Sequence, residues 1–286
     1  MRKPLSSAGG RAVCVWNDQN SLREIPDPVY FQQFREGSTL SAVFLRAGES
    51  VELLGMTRQL VGHEWSKASE PFLYCGSIGP LVPDRSELEL HERMCRRLTD
   101  AVELLAARSG LRGIFGVDFI QDGRGIPWIL EVNPRYTASV EVLELALQKS
   151  LLFVPRMPAH LRPSVESAPA VVAKVILYAQ EPLTAPDLRM LSRSRLPGGS
   201  RPPLRKDKGP DLGEVPDSRS AWQVPALADV PVPGTSIQAT WPICTVMATG
   251  STEVECLRSL RDRVDTVWKM VNDRANEFPI TTVHQD

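Results

Sequence analysis

The hydrophobic and polar positions divide the chain into a β-rich opening, a long helix, a strand pair and a second helix. Segments 29–34, 40–46 and 51–61 are rich in β-branched and aromatic residues, which favours strands. The polar turn at residues 36–38 indicates a hairpin or a strand–turn–strand between the first two. Residues 12–16 are predicted to be extended.

The clearest helix is predicted over residues 86–109. Ser86 followed by Glu89 forms a capping box, and Gly110 suits the C-terminal stop. Apolar residues recur at helical spacing and predict one buried face: Leu90, Met94, Leu98, Ala101 and Leu105.

Two short apolar strands, Ile114–Ile120 and Trp128–Val132, follow the helix and flank a strong turn signal at Asp122-Gly123. A second helix is predicted from about Ser139 to Leu152. The apolar residues of that segment recur at helical spacing: Val140, Leu143, Leu147 and Leu151.

Beyond the second predicted helix the composition of the chain changes, and prolines become frequent. Residues 192–220 are polar and rich in glycine and proline, which predicts a long exposed loop or a disordered insertion. The strand-like segment 170–178 is expected to pair, across this insertion, with strands at 237–240 and 243–248. A helix is predicted over 252–272. The mixture of elements predicts an α+β fold.

Composition narrows the function classes. The 286 residues, 42% of them hydrophobic, suffice for one large domain or two smaller ones. A net charge of -1 argues against a nucleic-acid binder. The sequence has no apolar run of about 18 residues and no signal-peptide pattern at its start. The five scattered cysteines are typical of free thiols in a reducing compartment. We therefore expect a cytoplasmic protein with no nucleic-acid or membrane partner.

The second strand of the predicted pair carries two polar residues on one face. Because side chains alternate along a strand, Glu131 and Asn133 are expected to project from one face. Leu130 and Val132 are expected to project from the other.

The two strands bring a second carboxylate to the same face. With the turn centred between residues 124 and 125, Asp118 pairs with Glu131 and Gly116 pairs with Asn133. A one-residue slip would scatter the set. Two carboxylates and an amide suit Mg²⁺, which takes oxygen ligands. An ordinary solvated hairpin face fits the spacing about equally well.

These residues resemble the ATP-grasp superfamily, in which a strand ending in Asp precedes a strand of the pattern hydrophobic–Glu–hydrophobic–Asn–Pro–Arg. By that resemblance Glu131 and Asn133 are ligands of Mg²⁺ (or Mn²⁺) and Asp118 is a third ligand. Arg135 could hold a phosphate oxygen or an acyl-phosphate intermediate. The continuation at residues 136–141 resembles a branch of predicted carboxylate–amine or thiol ligases and carboligases.

A second element of the family lies upstream. Arg2-Lys3-Pro4 and the segment Ser6–Gly10 resemble its Lys-Pro strand and glycine-rich loop. The resemblance implies that Lys3 contacts the nucleotide phosphates. The loop residues Ser7, Gly9 and Gly10 would cover the terminal phosphates. A chain start without a binding role is the competing interpretation of this motif alone.

A third element, Tyr30–Gly37, resembles the segment that joins the two lobes and receives adenine. Gln32, Phe34, Arg35 and Glu36 fall at nucleotide-facing positions. Core packing is the alternative for Phe34 alone. Further candidates for the acceptor or phosphate side are Arg58, Gln59, His63, Trp65 and Gly76–Pro80.

The resemblance implies two α+β lobes that grip ATP, followed by a small C-terminal β-rich domain. The nucleotide-binding domain is expected over 1–155, with a central lobe at about 1–40 and a metal-binding lobe at about 41–155. The C-terminal domain is expected over 156–286. Members of the family carry an N-terminal domain of about 100 residues ahead of the Lys-Pro strand. We expect this domain to be lacking here.

The implied activity is a ligase that uses ATP to activate a carboxylate as an acyl phosphate for attack by an amine or another nucleophile. The expected partners are ATP and a small carboxylate or amine, with a partner chain or a homodimer left open. Two alternatives remain. One is a truncated, non-catalytic ATP-binding or interaction module. The weaker one is a metal-dependent hydrolase, which lacks the convergent histidines common at such sites.

Overall fold

The computed structural model describes residues 1–16, 28–156, 168, 170–192 and 222–275. These residues form twelve strands and four α-helices, which in chain order are β1 (Arg2–Pro4), β2 (Val29–Phe31), β3 (Ser38–Ala47), β4 (Ser50–Val61), β5 (Tyr74–Gly79), α1 (Leu88–Ser109), β6 (Gly113–Gln121), β7 (Pro127–Asn133), α2 (Ala138–Leu147), β8 (Val171–Tyr178), β9 (Leu183–Thr184), α3 (Arg189–Ser192), β10 (Leu227–Ala228), β11 (Ser236–Ile237), β12 (Pro242–Gly250) and α4 (Glu253–Ala275).

One antiparallel sheet of eight strands organises the molecule, in the order β10-β12-β8-β5-β4-β3-β6-β7. Two smaller pairs, β1 with β2 and β9 with β11, lie outside it. The predicted pairing of segment 170–178 with 243–248 is confirmed as the β8–β12 ladder. The α+β fold class is confirmed as well. Strands from both sides of residue 156 share this sheet, and the predicted division at 155/156 stays a prediction.

The helices cover both faces of the large sheet. Helix α1 packs on one face of β3, β4 and β6, and α4 packs on the same face farther along, over β8 and β12. Helix α2 packs on the opposite face, against the residues of β3 that alternate with those under α1. We call this second face of the sheet the α2 face. On it, the N-terminus of α2 lies beside β6 and β7.

Helix α1 begins differently from the prediction, and a different set of its residues is buried. Its N-cap is Glu87, which has helical dihedral angles and no side-chain cap hydrogen bond, so the predicted capping box of Ser86 and Glu89 is wrong. Glu87 N–H instead donates to the Asp84 carbonyl at 2.9 Å, in a turn that precedes the helix. The predicted end is confirmed, since Gly110 adopts φ 71.

The buried face of α1 is rotated from the predicted one in its second half. Met94 and Leu98 are buried as predicted, but the face continues through Val102 and Ala106. Leu105 is 40% exposed.

This rotation predicts unequal costs for two leucine truncations on α1. Leu98→Ala removes a fully buried side chain and is expected to lower the free energy of unfolding by about 2–5 kcal/mol. Leu105→Ala, the matched control, is expected to cost less than about 1 kcal/mol. Urea unfolding of both variants checks this, and equal costs would contradict the observed packing.

Of the two arrangements predicted for the first two strand segments, the hairpin is wrong, and the strand–turn–strand agrees with strands β2 and β3. Strand β2 pairs with β1, whereas β3 pairs with β4 and β6 in the large sheet, so residues 32–37 cross from one sheet to the other. The extended segment 12–16 is reduced to a single bridge between Cys14 and Arg2.

Other boundaries shift less. Helix α2 ends at Gln148 in a left-handed conformation, and Leu151 belongs to a following 3-10 turn, Leu151–Arg156, although it is buried as expected. The strand predicted at 237–240 is reduced to β11, and its predicted pairing with segment 170–178 is wrong because β11 pairs with β9. Helix α4 confirms the predicted C-terminal helix.

Two further observations complete the fold. Apart from Ser192, the loop predicted at 192–220 lies outside the described residues. Within the described ranges, every helix is too short or too polar to cross a membrane.

Candidate functional site

Strands β6 and β7 bring the three predicted metal ligands together. The ladder pairs Asp118 with Glu131 and Gly116 with Asn133, which confirms the predicted register. Directly paired residues of an antiparallel ladder share a face. A side chain at Gly116 would meet the Thr137 methyl group at 2.7 Å, so the glycine makes room for the start of α2.

A β-bulge next to Asp118 changes one prediction. The register shifts between Asp118 and Phe119, so that Phe119 pairs with Ile129 and Leu130 has no partner across the ladder. Ile129 and Val132 pack toward α1, whereas Leu130 lines the cleft beside Glu131. The expectation that Leu130 shares the face of Val132 is therefore wrong.

A cleft of about 840 Å³ opens on the α2 face of the sheet, and its size is typical of a small-ligand site. The twelve residues proposed for the nucleotide, the metal and Arg135's role all line it: Lys3, Ser7, Gly9, Gly10, Gln32, Phe34, Arg35, Glu36, Asp118, Glu131, Asn133 and Arg135. The motifs come from three separate segments, and the fold brings them to one cavity.

The carboxylate cluster is held by the Asn133 amide. Its Nδ2 donates to Asp118 Oδ2 at 3.2 Å and to Glu131 Oε1 at 3.0 Å, so it lies between the two carboxylates. Burial raises the pKa of Asp118 to about 6, and Glu131 adds to the rise, whereas hydrogen bonds from Ser41 and Gln59 oppose it. Two carboxylates so close together favour a cation between them.

The donor set fits a hard cation. The described residues contain no cluster of three or more His, Cys, Asp or Glu side chains that could hold a metal ion. The oxygen-bearing groups at this place are two carboxylates and one amide. Asn133 Oδ1 now accepts from Arg135 at 3.4 Å, and a half-turn of the amide would present this oxygen to the cluster. Three oxygen donors plus nucleotide phosphates and water are a usual Mg²⁺ environment.

The glycine-rich loop contacts the start of β5 and the segment that precedes it. Tyr74 N–H donates to the Gly9 carbonyl at 2.7 Å, and the Ala12 N–H donates to Glu70. A side chain at Gly10 would meet the Phe72 carbonyl oxygen at 1.9 Å. The loop is thereby held over the cleft by contacts that require glycine at position 10.

Lys3 of β1 lines the same cleft as the two carboxylates. Burial lowers the pKa of its ammonium group, and the charge of Glu131 counteracts that shift. An anionic ligand between them would meet the ammonium group on one side and the metal-type cluster on the other.

The crossing segment at residues 32–37 forms the other end of the cleft. The Gln32 N–H donates to the Met1 carbonyl at 3.0 Å, which ties the segment to β1. The Arg35 guanidinium lies 3.7 Å from the centre of the Trp128 ring, a cation–π contact that ties it to β7. Phe34 is 47% exposed, so core packing does not account for it.

The acceptor-side candidates divide between the two faces. Gln59 lines the cleft, whereas Arg58 projects to the opposite face and pairs with Glu253 of α4. His63 contacts Trp65 and is likewise not part of the cleft lining. Alternation along β4 explains why neighbours in sequence separate.

Ser41, Tyr74 and Thr137 are among the cleft residues that were not proposed as site residues from the sequence. Ser41 pairs with Asp118 in the β3–β6 ladder, Tyr74 opens β5, and Thr137 precedes α2. Burial raises the pKa of Tyr74, whose hydroxyl bonds with Ser77 Oγ at 2.8 Å. Thr137 follows the Asn-Pro-Arg motif by two residues, which is the one local signal that could have found it.

Comparison with known proteins gives a family match and two similar solved structures. Residues 1–139 match the sequence family of the ATP-grasp domain. L-amino acid ligase from Bacillus licheniformis superposes with a TM-score of 0.54, at 13% identity over 82% of this chain and 51% of the ligase. Phosphoribosylglycinamide synthetase from Anaerococcus prevotii gives 0.52, at 13% identity over 83% of this chain and 53% of the synthetase.

A sequence relative is similarly distant. An uncharacterised protein of Methanocaldococcus jannaschii is 23% identical over 189 residues, which make up 64% of this chain and 42% of that protein. The chain therefore spans about half the length of these relatives or less. At these identities the structural likeness establishes the fold.

Proposed function

Residues 1–139 of this chain are an ATP-grasp domain, and from that premise we propose that the protein is an ATP- and magnesium-dependent ligase. It activates a carboxylate as an acyl phosphate, which an amine or another nucleophile then attacks. In this proposal residues 1–155 are the nucleotide-binding unit.

The observation that carries the proposal is the convergence of three separate motifs in one cleft. Lys3 with its glycine-rich loop, the crossing segment and the carboxylate hairpin all line the same cavity. A solvated hairpin face does not require Lys3 and the glycine-rich loop to line the same cavity as the two carboxylates. This convergence favours nucleotide binding over the ordinary surface interpretation.

Each motif has a role in the proposal. Residues 32–36 receive adenine, and Leu130 adds an apolar contact at the same wall. The Lys3 ammonium and the backbone N–H groups at Ser7, Gly9 and Gly10 bind the phosphates.

The carboxylate cluster has the metal-binding role in the proposal. Asp118, Glu131 and Asn133 would hold Mg²⁺, which supplies charge neutralisation to the phosphates when it is bound. Arg135 donates at present to the Tyr136 carbonyl at 3.2 Å and to Asn133 Oδ1. We assign its guanidinium to the transferred phosphoryl group or the acyl phosphate.

The proposed reaction needs no side-chain nucleophile. A carboxylate oxygen of the substrate attacks the γ-phosphorus, and the bond to the β–γ bridging oxygen breaks to release ADP. The nucleophile then attacks the acyl carbon, phosphate leaves with one oxygen of the original carboxylate, and the nucleophile loses a proton. The reaction is accelerated by the orientation of the reactants and by stabilisation of the developing charge.

An isotope experiment tests this reaction. The full chain is given ATP, Mg²⁺, a panel of ¹⁸O-labelled carboxylates and hydroxylamine as the nucleophile. We expect ADP, a hydroxamate and phosphate carrying one ¹⁸O for at least one carboxylate. ADP formation with unlabelled phosphate would favour the hydrolase alternative. Stable nucleotide binding without turnover would favour the non-catalytic module, and absence of binding would contradict the nucleotide site itself.

A further inference from the structure

The chain around the glycine-rich loop connects the small β1–β2 pair to the large sheet. It leaves β1 after Pro4 and returns at Cys14, whose backbone exchanges hydrogen bonds with Arg2. Between these points it contacts residues 70–74, which end at the first residue of β5. We call residues 70–74 the anchor segment.

Two contacts between the loop and the anchor segment are made by backbone groups. The Gly9 carbonyl accepts a hydrogen bond from the Tyr74 N–H at 2.7 Å, and Gly10 packs against the Phe72 carbonyl. Because these groups belong to the backbone, neither contact depends on which side chains the anchor segment carries.

A third contact is made by a side chain. The Ala12 N–H, two residues beyond the loop, donates to the Glu70 carboxylate. An ionised acceptor makes a stronger hydrogen bond than a neutral one. Ala12 has φ 56, a left-handed conformation that is uncommon for residues other than glycine, so the bond offsets an unfavourable backbone. Glu70 thereby helps to determine the path of the chain just after the loop.

The anchor segment is held in place independently of the loop. The Leu73 N–H donates to the Glu70 carbonyl at 3.2 Å, and the Gly62 N–H donates to the Leu73 carbonyl at 2.8 Å. A side chain at Gly62 would meet the Pro71 carbonyl oxygen at 2.2 Å, so the residue after β4 packs closely on this turn. Loss of the loop contacts therefore leaves the anchor segment where it is.

Glu70 holds the chain from outside the cleft. Ser7, Gly9 and Gly10 line the cavity, whereas Ala12 and Glu70 are not part of its lining. A ligand in the cleft therefore does not have to displace the hydrogen bond between Ala12 and Glu70. A contact that forms equally with and without a ligand leaves the Kd of that ligand unchanged.

We propose that Glu70 is a positioning residue that holds the glycine-rich loop over the cleft and thereby sets how fast nucleotide enters and leaves. Opening of a loop that covers a ligand limits both steps. The nucleotide part of this inference rests on the proposed function, which assigns the loop to the terminal phosphates. The hold on the loop is a property of the chain alone.

Amide hydrogen exchange of the full chain, resolved by residue, tests the hold without nucleotide. Glu70→Ala removes the acceptor of Ala12, and the Tyr74 N–H, whose own acceptor at Gly9 is intact, is expected to exchange about three- to tenfold faster. Water competes for the exposed bond to Glu70, so this effect lies below the usual range for hydrogen bonds to charged groups. The Gly62 N–H should exchange at the parent rate. An unchanged rate at Tyr74, or an equal rise at Gly62, would show that Glu70 does not act through the loop.

Stopped-flow kinetics with a fluorescent, non-hydrolysable ATP analogue and Mg²⁺ test the effect on the cleft. Glu70→Ala is expected to raise the association and dissociation rate constants by about the same three- to tenfold, which leaves Kd within about twofold. The corresponding ADP analogue lacks the last phosphate under the loop, and its rate constants should change less. Damage to the site would instead raise the dissociation rate constant alone and so weaken Kd.

Two further variants separate the hydrogen bond from other effects of the substitution. Glu70→Gln keeps an oxygen acceptor at the same place and should lie closer to the parent than to Glu70→Ala in both experiments. Glu103→Ala, on the exposed side of α1, is the matched control and should change neither measurement. A Glu70→Gln variant that behaves like Glu70→Ala would contradict the role of the hydrogen bond.

The outcomes separate this inference from the proposed function. If the Tyr74 amide responds but the parent binds no ATP analogue, the proposed function fails and the hold of Glu70 on the loop stands. If the analogue binds and Glu70→Ala leaves both of its rate constants unchanged, the nucleotide site stands and this inference is wrong. A weaker Kd with an unchanged association rate constant also overturns it.

Discussion

Glu131→Gln is expected to remove most of the magnesium-dependent stabilisation of the protein by a non-hydrolysable ATP analogue. In the parent, ligand at a hundred times its Kd should add about 2.7 kcal/mol to the free energy of unfolding. Loss of a carboxylate ligand should weaken the metal–nucleotide complex at least about a hundredfold, which leaves roughly 0.4 kcal/mol at the same concentration. Thermal unfolding with and without Mg²⁺ measures the difference.

Without Mg²⁺, Glu131→Gln should not weaken the binding of the ATP analogue. Asp118 and Glu131 are close enough for Glu131 to raise the pKa of Asp118, so both repel an anionic ligand. Glutamine removes one of these charges, and the metal-free analogue should therefore bind as tightly as in the parent or more tightly. An ordinary loss of folding would weaken both forms of the complex.

The control for Glu131→Gln is Glu103→Gln, which makes the same chemical change on the exposed side of α1. It should leave the magnesium-dependent shift unchanged. A parent and a Glu131→Gln variant with equal magnesium-dependent shifts would contradict the metal site. Asp122 is unsuitable as a control, because its carboxylate accepts hydrogen bonds from Arg124, Ile126 and Trp128 in the turn.

The carboxylate cluster was predictable because its register is local. Asp118 and Glu131 are joined by one short turn, which restricts the pairing to a few registers. Gln121 pairs with Pro127, so the turn is centred on Arg124, and the predicted centre between residues 124 and 125 is wrong. The bulge at Leu130 was not predictable, since a single extra residue leaves no distinct trace in the hydrophobic pattern. Glu131 pairs with Asp118 as predicted because the extra residue of the bulge offsets the one-residue difference in the position of the turn.

The pairing of strands that are far apart in the chain could not be predicted from the sequence. Ser41 lies beside Asp118 only because β3 pairs with β6, and nothing local to either strand specifies that register. Tyr74 reaches the cleft for the same kind of reason, through the β4–β5 ladder. These residues belong to the site through topology alone.

Packing partners also decided the buried face of α1. The sequence favoured Leu105 because leucine is the more hydrophobic residue at helical spacing. The structure buries Val102 and Ala106 in the cluster that contains Phe115 and Phe119. Hydrophobicity predicts that a face is buried, and the shape of the partner decides which residues form it.

Gly10→Ala is the second substitution with a large expected effect, and it acts through the position of the glycine-rich loop. The new methyl carbon would lie 1.9 Å from the Phe72 carbonyl oxygen, a backbone atom, so the loop must leave the place it now holds. Gly10 also has φ 83, which disfavours any side chain. We expect the Kd of the Mg²⁺–ATP analogue to rise by at least about a hundredfold, or roughly 2.7 kcal/mol.

Gly9→Ala separates the displacement of the loop from backbone strain. Gly9 shares the left-handed conformation, with φ 66, but a side chain there meets nothing within 4 Å. Its cost should be limited to about 1–2 kcal/mol of strain, which corresponds to roughly five- to thirtyfold in Kd if all of it is expressed in binding.

Calorimetry with ATP and ADP analogues locates the effect of Gly10→Ala along the nucleotide. Because the loop is assigned to the terminal phosphates, the substitution should weaken the triphosphate more than the diphosphate. Equal effects of Gly9→Ala and Gly10→Ala would mean that contact with Phe72 does not hold the loop. A diphosphate weakened as much as the triphosphate would mean that the loop acts elsewhere on the nucleotide. The two comparisons thus test where the loop rests and what it covers.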